Sequence, residues 1–286
     1  MYALIACSAP LVDERVVGVD VPAEVWVGGD DARLGAAVAW SGSTWRATAP
    51  NEDRTYSGDA VVGPSVAALA WAGEAWATLG PDGAVQVAET RVADVPGAER
   101  LAAGGGAVFV ATRTAVHGVS GGWVAPVEGV VALAYDPLRS MVFATACSPC
   151  VVRAWTATGA EAEVATPEAG RGGLASWEGR VYAGDPDFAD GAGRVCDDAG
   201  ACVEGQPGDA LGASIAGGYA VGVFNARLRP PRARLVGLVG QGDLALEVGT
   251  ENRPIVLDGD ASTLLVGAPY APLGGTPGGA VWQVSP

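Results

Sequence analysis

Short apolar runs separated by glycine-bearing turns recur along the chain at a regular spacing. A clear copy begins at Leu69, where Leu-Ala-Trp is followed by the turn Ala-Gly-Glu and by a second run, Ala-Trp-Ala-Thr. Such short runs bounded by turn residues are typical of β-strands, and helical spacing of apolar residues is scarce. The copies begin 31 to 42 residues apart, at Val38, Leu69, Leu101, Leu133, Leu174, Ile215 and Leu257.

Most copies leave room for a third strand, and some for a fourth. Three to four short strands in a repeat of about 30 to 45 residues form the unit from which a propeller blade is built. The sequence therefore predicts an all-β protein, a single seven-bladed β-propeller domain over residues 11–286. The predicted third strands are Ala84–Ala88, Val151–Trp155, Gly193–Cys196, Ala233–Val239 and Ala280–Val284, and a predicted fourth is Asp243–Val248.

The two ends of the chain predict how the ring closes. The last repeat, Pro254–Pro286, offers only three strands, whereas the segments Val16–Val21 and Glu24–Val27 carry extra strand-like sequence before the first repeat. An open sheet edge is an aggregation hazard that proteins usually cover. We therefore expect the N-terminal segment to supply the outer strand of the last blade.

The composition narrows the range of partners. Hydrophobic residues make up 49% of the 286 residues, with 43 glycines and 19 prolines, and the net charge is −15. Nucleic-acid binding is disfavoured because it requires a basic face. The one basic group, Arg227, Arg229, Arg232 and Arg234, lies in a proline-bearing segment and is interpreted as solvated. We expect a monomer with an acidic surface.

The N-terminus resembles the end of a bacterial export signal. Leu4-Ile5-Ala6-Cys7 is similar to a lipobox, in which the cysteine receives lipid and becomes the first mature residue. Residues 1–10 are accordingly interpreted as a residual signal segment, with Cys7 as the lipidation site and a location at the bacterial outer membrane or in the periplasm. Contact with the membrane would then occur only through this anchor. The alternative is a first strand, Tyr2–Cys7, with a buried thiol.

The remaining four cysteines fall into two close pairs, Cys147 with Cys150 and Cys196 with Cys202. Each pair flanks a turn-like stretch, so each could close a disulfide across a hairpin, as is common outside the cytoplasm. A redox Cys-x-x-Cys site would be expected near a βαβ unit, and a zinc site would require a different spacing in the second pair. Both of these alternatives are therefore disfavoured.

The last repeat resembles the FG-GAP repeat of integrin α-chain propellers. The resemblance rests on Thr263–Tyr270 followed by Gly278–Trp282. Gly208–Ala216 is similar to the opening half of the same motif, and Arg33–Ala39 is a weaker copy. The other four repeats do not carry it. The resemblance implies a propeller that acts in recognition or adhesion outside the cytoplasm.

FG-GAP blades often hold calcium in an acidic loop between their first two strands. Only Asp258 and Asp260 fall at that position here, so they are the candidate metal ligands implied by the resemblance. A calcium ion requires six to eight oxygen ligands, which two carboxylates do not supply alone. The alternative interpretation is solvated turn residues and no cofactor. Another acidic group, Asp185, Asp187 and Asp190, lies outside the family position.

No catalytic motif stands out. The single histidine, His117, lies in an alternating, strand-like run, and the nucleophile elbow Gly-x-Ser-x-Gly is absent. Paired carboxylates at the propeller mouth could still support glycosidase chemistry. Tryptophans at blade positions could pack between blades or line a face that binds glycans or peptides. These are Trp40, Trp45, Trp71, Trp76, Trp123, Trp155 and Trp177.

Taken together, the patterns favour a non-catalytic, extracytoplasmic binding or scaffolding propeller that recognises a protein or a glycan. The alternative is an envelope polysaccharide hydrolase or lyase with carboxylates at the propeller mouth. A scaffold for assembly of the envelope is a third hypothesis, distinguished by contact with an outer-membrane protein.

Overall fold

Seven small antiparallel sheets form a ring in the computed structural model, so the predicted seven-bladed β-propeller is confirmed. The structure describes residues 19–20, 23–28, 32–58, 60–222, 232–238, 241–247, 255–271 and 278–286. The lipobox-like segment with Cys7, and also Arg227 and Arg229, lie outside these ranges. No helix in the described ranges has the length and apolar character needed to cross a membrane.

The strands are numbered in chain order and grouped by blade. Two N-terminal strands come first, β1 (Val19–Asp20) and β2 (Ala23–Val27). Blade 1 contains β3 (Val38–Trp40), β4 (Trp45–Ala49), β5 (Arg54–Ser57) and β6 (Ala60–Gly63). Blade 2 contains β7 (Ala68–Trp71), β8 (Trp76–Leu79), β9 (Ala84–Val87) and β10 (Thr90–Asp94). Blade 3 contains β11 (Arg100–Gly104), β12 (Ala107–Ala111), β13 (Ala115–Gly118) and β14 (Trp123–Pro126).

Blade 4 has three strands, β15 (Val130–Asp136), β16 (Met141–Cys147) and β17 (Cys150–Thr156). Blade 5 contains β18 (Leu174–Trp177), β19 (Arg180–Asp185), β20 (Arg194–Asp197) and β21 (Cys202–Glu204). Blade 6 contains β22 (Ser214–Ala216), β23 (Tyr219–Val221), β24 (Arg232–Gly237) and β25 (Leu244–Glu247). Blade 7 contains β26 (Val256–Gly259), β27 (Leu264–Ala268) and β28 (Ala280–Val284). A 3-10 turn spans Pro50–Glu52 and a short helical turn spans Phe188–Gly191.

The seven repeat starts predicted from the sequence all lie on the first strand of a blade. These strands contact one another around the ring, from β3 through β7, β11, β15, β18, β22 and β26 and back to β3. They therefore line the central channel, where small residues allow close approach. His117 lies on β13 and is half-buried, and burial lowers its pKa.

Closure of the ring follows the predicted scheme in its main part. β2 pairs antiparallel with β28, from Ala23 opposite Val284 to Val27 opposite Ala280, and so forms the outer strand of blade 7. The earlier part of the same segment was assigned to the wrong blade. β1 pairs in parallel with β25 and extends blade 6 instead. The reason is that β2 alone already pairs with all five residues of β28.

Apolar clusters fill six of the seven interfaces between blades, counted over the described residues. In each, side chains from one face of a blade meet those of the next, as a stack of sheets requires. The clusters lie between blades 2 and 3, 3 and 4, 4 and 5, 5 and 6, 6 and 7, and 7 and 1. The described residues form no such cluster between blades 1 and 2.

Both predicted disulfides are present. Cys147 and Cys150 pair directly across the β16–β17 hairpin, and Cys196 and Cys202 pair across β20 and β21. Each bridge lies within one blade, so neither connects blades or closes the ring.

Two of the FG-GAP-like copies share a local structure. The amide of Leu34 donates to the carbonyl of Gly278, 3.0 Å away, and the amide of Leu211 donates to the carbonyl of Ala192, 3.1 Å away. Each leucine is buried and is followed by a glycine with positive φ. Each also forms an isolated β-bridge with the glycine that comes directly after its acceptor residue in the chain. The sequence similarity therefore corresponds to a repeated way of joining one blade to the next.

Candidate functional site

The interface between blades 1 and 2, where the described residues form no apolar cluster, arises from the residue pattern of β4 in blade 1. Alternation turns Trp45, Ala47 and Ala49 toward blade 7, where they join an apolar cluster. Arg46 and Thr48 are thereby turned to the opposite face, toward blade 2. That face therefore presents a guanidinium, whereas the corresponding positions of the other blades carry apolar or aromatic side chains such as Ala77, Phe109 and Phe143.

Blade 2 has a matching polar face. Ala77 and Leu79 on β8 pack against blade 3, which leaves Trp76 and Thr78 on the side of blade 1. On β9, Val85 and Val87 likewise pack toward blade 3 and Gln86 faces the other way. The facing surfaces of blades 1 and 2 therefore share no apolar cluster among the described residues.

The result is a cavity of about 930 Å³, here called the blade 1–2 cleft. Residues from both blades line it. Its aromatic and polar side chains include Arg46, Thr55, Trp71, Trp76, Thr78 and Gln86. Small-molecule sites commonly have volumes of roughly 300–1,000 Å³ and combine aromatic walls with a few polar groups. The innermost strands β3 and β7 remain in contact, so the cleft does not interrupt the ring.

Arg46 is the distinctive charged group of the cleft. Its Nε is buried without a hydrogen-bond partner, and its guanidinium carbon lies 5.0 Å from the centre of the Trp76 ring. Desolvation lowers the pKa of Arg46, and the negative charge of Glu89 partly opposes this shift. Trp76 in turn meets Trp71 edge to face, with ring centroids 5.1 Å apart.

The other charges of the cleft are at its border. Asp53, Glu74, Asp82 and Glu89 are all exposed. The second cation, Arg91, is engaged by Asp94, to which its Nε donates at 2.7 Å, and lies 4.0 Å from Asp82. Of the two arginines that line the cleft, Arg91 has an ion-pair partner, whereas Arg46 has a buried Nε without a hydrogen bond among the described residues.

A second cavity, of about 420 Å³, opens at the channel and is bordered by Trp40, Trp71 and Asp258. Asp258 accepts a hydrogen bond of 2.7 Å from the amide of Trp40. Protein atoms surround this carboxyl, although the cavity leaves it partly accessible to solvent. Desolvation raises its pKa to about 6, against the hydrogen bonds from Trp40 and Gly259, and the nearby Asp260 adds to the shift.

Asp260 has a different environment. Its Oδ2 accepts from the Trp40 indole at 2.9 Å, and its Oδ1 accepts from the Ser262 hydroxyl and amide and from the Thr263 amide. Desolvation acts to raise its pKa, but the hydrogen bonds from Ser262, Trp40 and Thr263 together outweigh it and the pKa is lowered. Asp258 and Asp260 thus both bind Trp40 and connect blade 7 to blade 1.

The predicted calcium site stays a prediction. Asp258 and Asp260 lie together on the β26–β27 hairpin, but no group of three or more His, Cys, Asp or Glu residues able to hold a metal occurs in the described ranges. Their carboxylate oxygens are used by hydrogen bonds within the protein. The other acidic group does not form a metal cluster either, and Asp185 lies 3.8 Å from Arg194.

The tryptophans divide between the two roles considered. Trp45 and Trp155 are buried in clusters between blades, as the packing interpretation predicts. Trp40, Trp71 and Trp76 border the cavities instead. Sequence reasoning missed Arg46 and Gln86. A signal was available for Arg46, since the second strands β12, β16, β23 and β27 carry no charged side chain, whereas Gln86 has a counterpart in Gln283 of β28.

The comparisons with known proteins bear on the fold alone. No family model and no curated protein matches the sequence, so membership of the FG-GAP family is not confirmed. A chain in the crystal structure of the Mitotic Checkpoint Complex is similar, with a TM-score of 0.61, 14% identity and coverage of 93% of this chain and 96% of that chain.

Two bacterial structures are also similar. One is PorZ, a surface component of the type-IX secretion system of Porphyromonas gingivalis, with a TM-score of 0.54, 12% identity and 85% of this chain covered. The other is the extracellular domain of a protein described as a hybrid two-component system of B. thetaiotaomicron, with a TM-score of 0.59, 8% identity and 92% covered. The chain spans only 36% and 39% of these two structures.

Proposed function

We propose that this chain is a non-catalytic binding propeller that acts outside the cytoplasm and recognises a protein or a glycan through the blade 1–2 cleft. The observation that carries the proposal is the exchange of an apolar interface for a ligand-sized cleft. Burying polar side chains between two sheets without partners is unfavourable. A bound ligand would supply the missing partners.

The location rests on the cysteines and on the similar structures. Two disulfides in a chain of this size are typical of an oxidising compartment. The bacterial neighbours in structure are a surface component and an extracellular domain. With the lipobox-like Cys7, these observations support a lipid-anchored protein of the bacterial outer membrane or periplasm.

Binding is tested by filling the cleft. Gln86 is exposed within it, so Gln86→Trp adds bulk without removing any buried contact. The matched control is Val124→Trp, because Val124 is 59% exposed on the outer strand of blade 3. Glycan arrays and cross-linking to envelope extracts should give a ligand that binds the wild type and the control but not Gln86→Trp. Equal binding by all three proteins would show that the cleft is not the site.

Intact mass and membrane fractionation of the native protein test the anchor. A membrane-bound form that begins at Cys7 and carries added acyl mass is expected. A form without acyl mass and with free thiols in all four remaining cysteines would contradict the extracytoplasmic part of the proposal.

A second candidate function is the hydrolase or lyase. It is favoured by Asp258, whose carboxyl borders a cavity with two tryptophans and has a pKa of about 6, suited to proton transfer near neutral pH. The test is turnover of envelope polysaccharides by the wild type and by Asp258→Asn. Activity that disappears in Asp258→Asn would favour the enzyme over the binding protein.

A further inference from the structure

We propose that the blade 1–2 cleft binds a saccharide carrying a single carboxylate, with Arg46 pairing with that carboxylate and the Trp71–Trp76 pair contacting the sugar. This inference rests on the proposed function and names the ligand class of the same site.

The Arg46 side chain is half-buried and lines the cleft. Among the described residues it has neither a hydrogen bond nor an ion pair, its Nε is buried, and the nearby charge of Glu89 favours its charged form. Arginine side chains at the surface usually meet water or a carboxylate. A half-buried guanidinium that lines a cavity can donate to a ligand that enters it, and burial makes a charge-assisted hydrogen bond there stronger.

The shape of the donor group favours a carboxylate. A guanidinium is planar and presents its N–H groups as a fork that matches the two oxygens of a carboxylate. Trp76 lies against it at 5.0 Å, which restricts the plane of the fork before any ligand arrives. A restricted fork loses less conformational freedom on binding than a free surface arginine.

The size and lining of the cleft favour a saccharide as its ligand. The cleft of about 930 Å³ has the size of a small-ligand site, and it is recessed between two sheets. Its walls combine the indoles of Trp71 and Trp76 with the Thr78 hydroxyl and the Gln86 amide. Apolar ring faces beside hydroxyl and amide groups complement a sugar, which has both C–H faces and hydroxyls.

The charges around the cleft limit the charge of the ligand. Four exposed carboxylates border the cleft, and the whole chain carries −15. Such a field repels a polyanion, whereas one carboxylate placed against Arg46 is locally compensated. The charge pattern therefore favours an otherwise neutral saccharide with one uronic acid over a polyuronate.

The experiment compares two disaccharides that differ at one carbon. The probes are glucuronosyl-glucose and cellobiose, measured by calorimetry at low ionic strength, with polygalacturonate as a third probe. The acidic disaccharide should bind the wild type at least tenfold more tightly than cellobiose, and polygalacturonate should bind no better per uronate. The methyl ester of the acidic disaccharide should lose the same factor.

The variants locate the effect. Arg46→Gln should reduce the preference for the acidic disaccharide to less than twofold, and Arg46→Lys should retain part of it. Arg113→Gln is the matched control, since Arg113 is an exposed arginine of blade 3 paired with Glu99. Melting curves confirm that each variant is folded. If Arg46→Gln does not fold, the methyl ester on the wild type provides the same test.

The outcomes separate this inference from the proposed function. Equal binding of the acidic and neutral disaccharides would overturn the role of Arg46 and leave glycan recognition standing. Binding of an acidic peptide, Arg46-dependent and without binding of either sugar, would overturn the saccharide class in favour of a protein ligand. Binding of none of these probes would overturn the inference, while the Gln86→Trp test still decides whether the cleft is used.

Discussion

Asp258 shows how one residue can make the stability of the whole ring depend on pH. Its carboxyl is enclosed by the channel wall and accepts a hydrogen bond from the Trp40 amide. The pKa is about 6 in the folded protein against 3.8 for an unperturbed aspartate. Between these values the folded chain holds a proton that the unfolded chain has released. The contribution of Asp258 to the free energy of unfolding therefore falls as the pH rises from about 4 to about 6.

Asp258→Asn removes this titration while keeping an acceptor for the Trp40 amide. Between pH 3.5 and pH 7.5, the unfolding free energy of Asp258→Asn minus that of the wild type should rise by about 2–3 kcal/mol. Urea unfolding at a series of pH values measures it. Asp260→Asn should shift in the opposite direction, because the pKa of Asp260 is lowered and its contribution is lost at low pH. A pH-independent difference for Asp258→Asn would mean that the carboxyl is well solvated.

Gly193 is a residue whose lack of a side chain permits a junction between blades. It has φ of +74°, and a Cβ atom there would lie 2.1 Å from the Leu211 nitrogen. Gly200, in the same blade, has φ of +85° with no atom within 4 Å of the corresponding position.

The two glycines make a matched pair of substitutions. Gly200→Ala should lower the unfolding free energy by about 1 kcal/mol, for the left-handed backbone alone. Gly193→Ala should lower it by at least about 2 kcal/mol more, because the backbone of Leu211 has to move. Equilibrium unfolding measures both. Equal effects would show that the close approach of Leu211 to Gly193 is not maintained in solution.

At the scale of the element, the closing strand β2 stabilises more than its own blade. Trp26 lies on β2 and meets Trp45 of blade 1 edge to face, with ring centroids 4.7 Å apart. The neighbouring Val25 points outward and is 44% exposed. One strand thus completes the sheet of blade 7 by hydrogen bonds and covers the core between blades 7 and 1 with a single side chain.

Trp26→Ala should lower the unfolding free energy by about 2 kcal/mol or more, through lost apolar burial and the lost ring contact. Val25→Ala should change it by less than about 0.5 kcal/mol. Deleting residues 11–30 should lower the melting temperature further, since both closing strands are lost. Differential scanning calorimetry compares the three. A deletion variant that melts like the wild type would refute closure by the N-terminal segment.

At this scale the sequence predicted the strands well and the site poorly. The apolar runs at Leu69 or Leu133 alternate with turns, and alternation is a local property that survives in the fold. The exchange of β1 into blade 6 depends on which edge is still unpaired, which no local pattern contains. The blade 1–2 cleft depends on two faces brought together by the ring, so the sequence alone does not show that Arg46 of β4 and Gln86 of β9 line the same cavity.

At the scale of the whole molecule, the ring is unevenly packed. Blade 3 is packed against apolar clusters on both faces, whereas the described residues of blade 1 join such a cluster only on the side of blade 7. Regions with fewer buried apolar contacts open locally at lower free energy. The interface between blades 1 and 2 is therefore the place where the ring is expected to loosen first.

Native-state hydrogen exchange tests this unevenness. Amides of β4 and β5 should exchange at least tenfold faster than those of β12 and β13 in blade 3. A ligand of the cleft should slow exchange in β4, β5, β8 and β9 and leave blade 3 unchanged. Uniform protection around the ring would show that polar contacts across the cleft stabilise it as well as an apolar core would.

The pairing of β2 with β28 also has a consequence for biosynthesis. The ribosome makes Ala280–Val284 about 250 residues after Ala23–Val27. At 5–20 residues per second the two partners emerge roughly 10 to 50 s apart. Blade 7 cannot acquire β2 as its outer strand until β28 has been synthesised. A chain that is terminated before β28 leaves β2 without its partner, so the architecture itself distinguishes polypeptides that contain β28 from those that lack it for quality-control proteases.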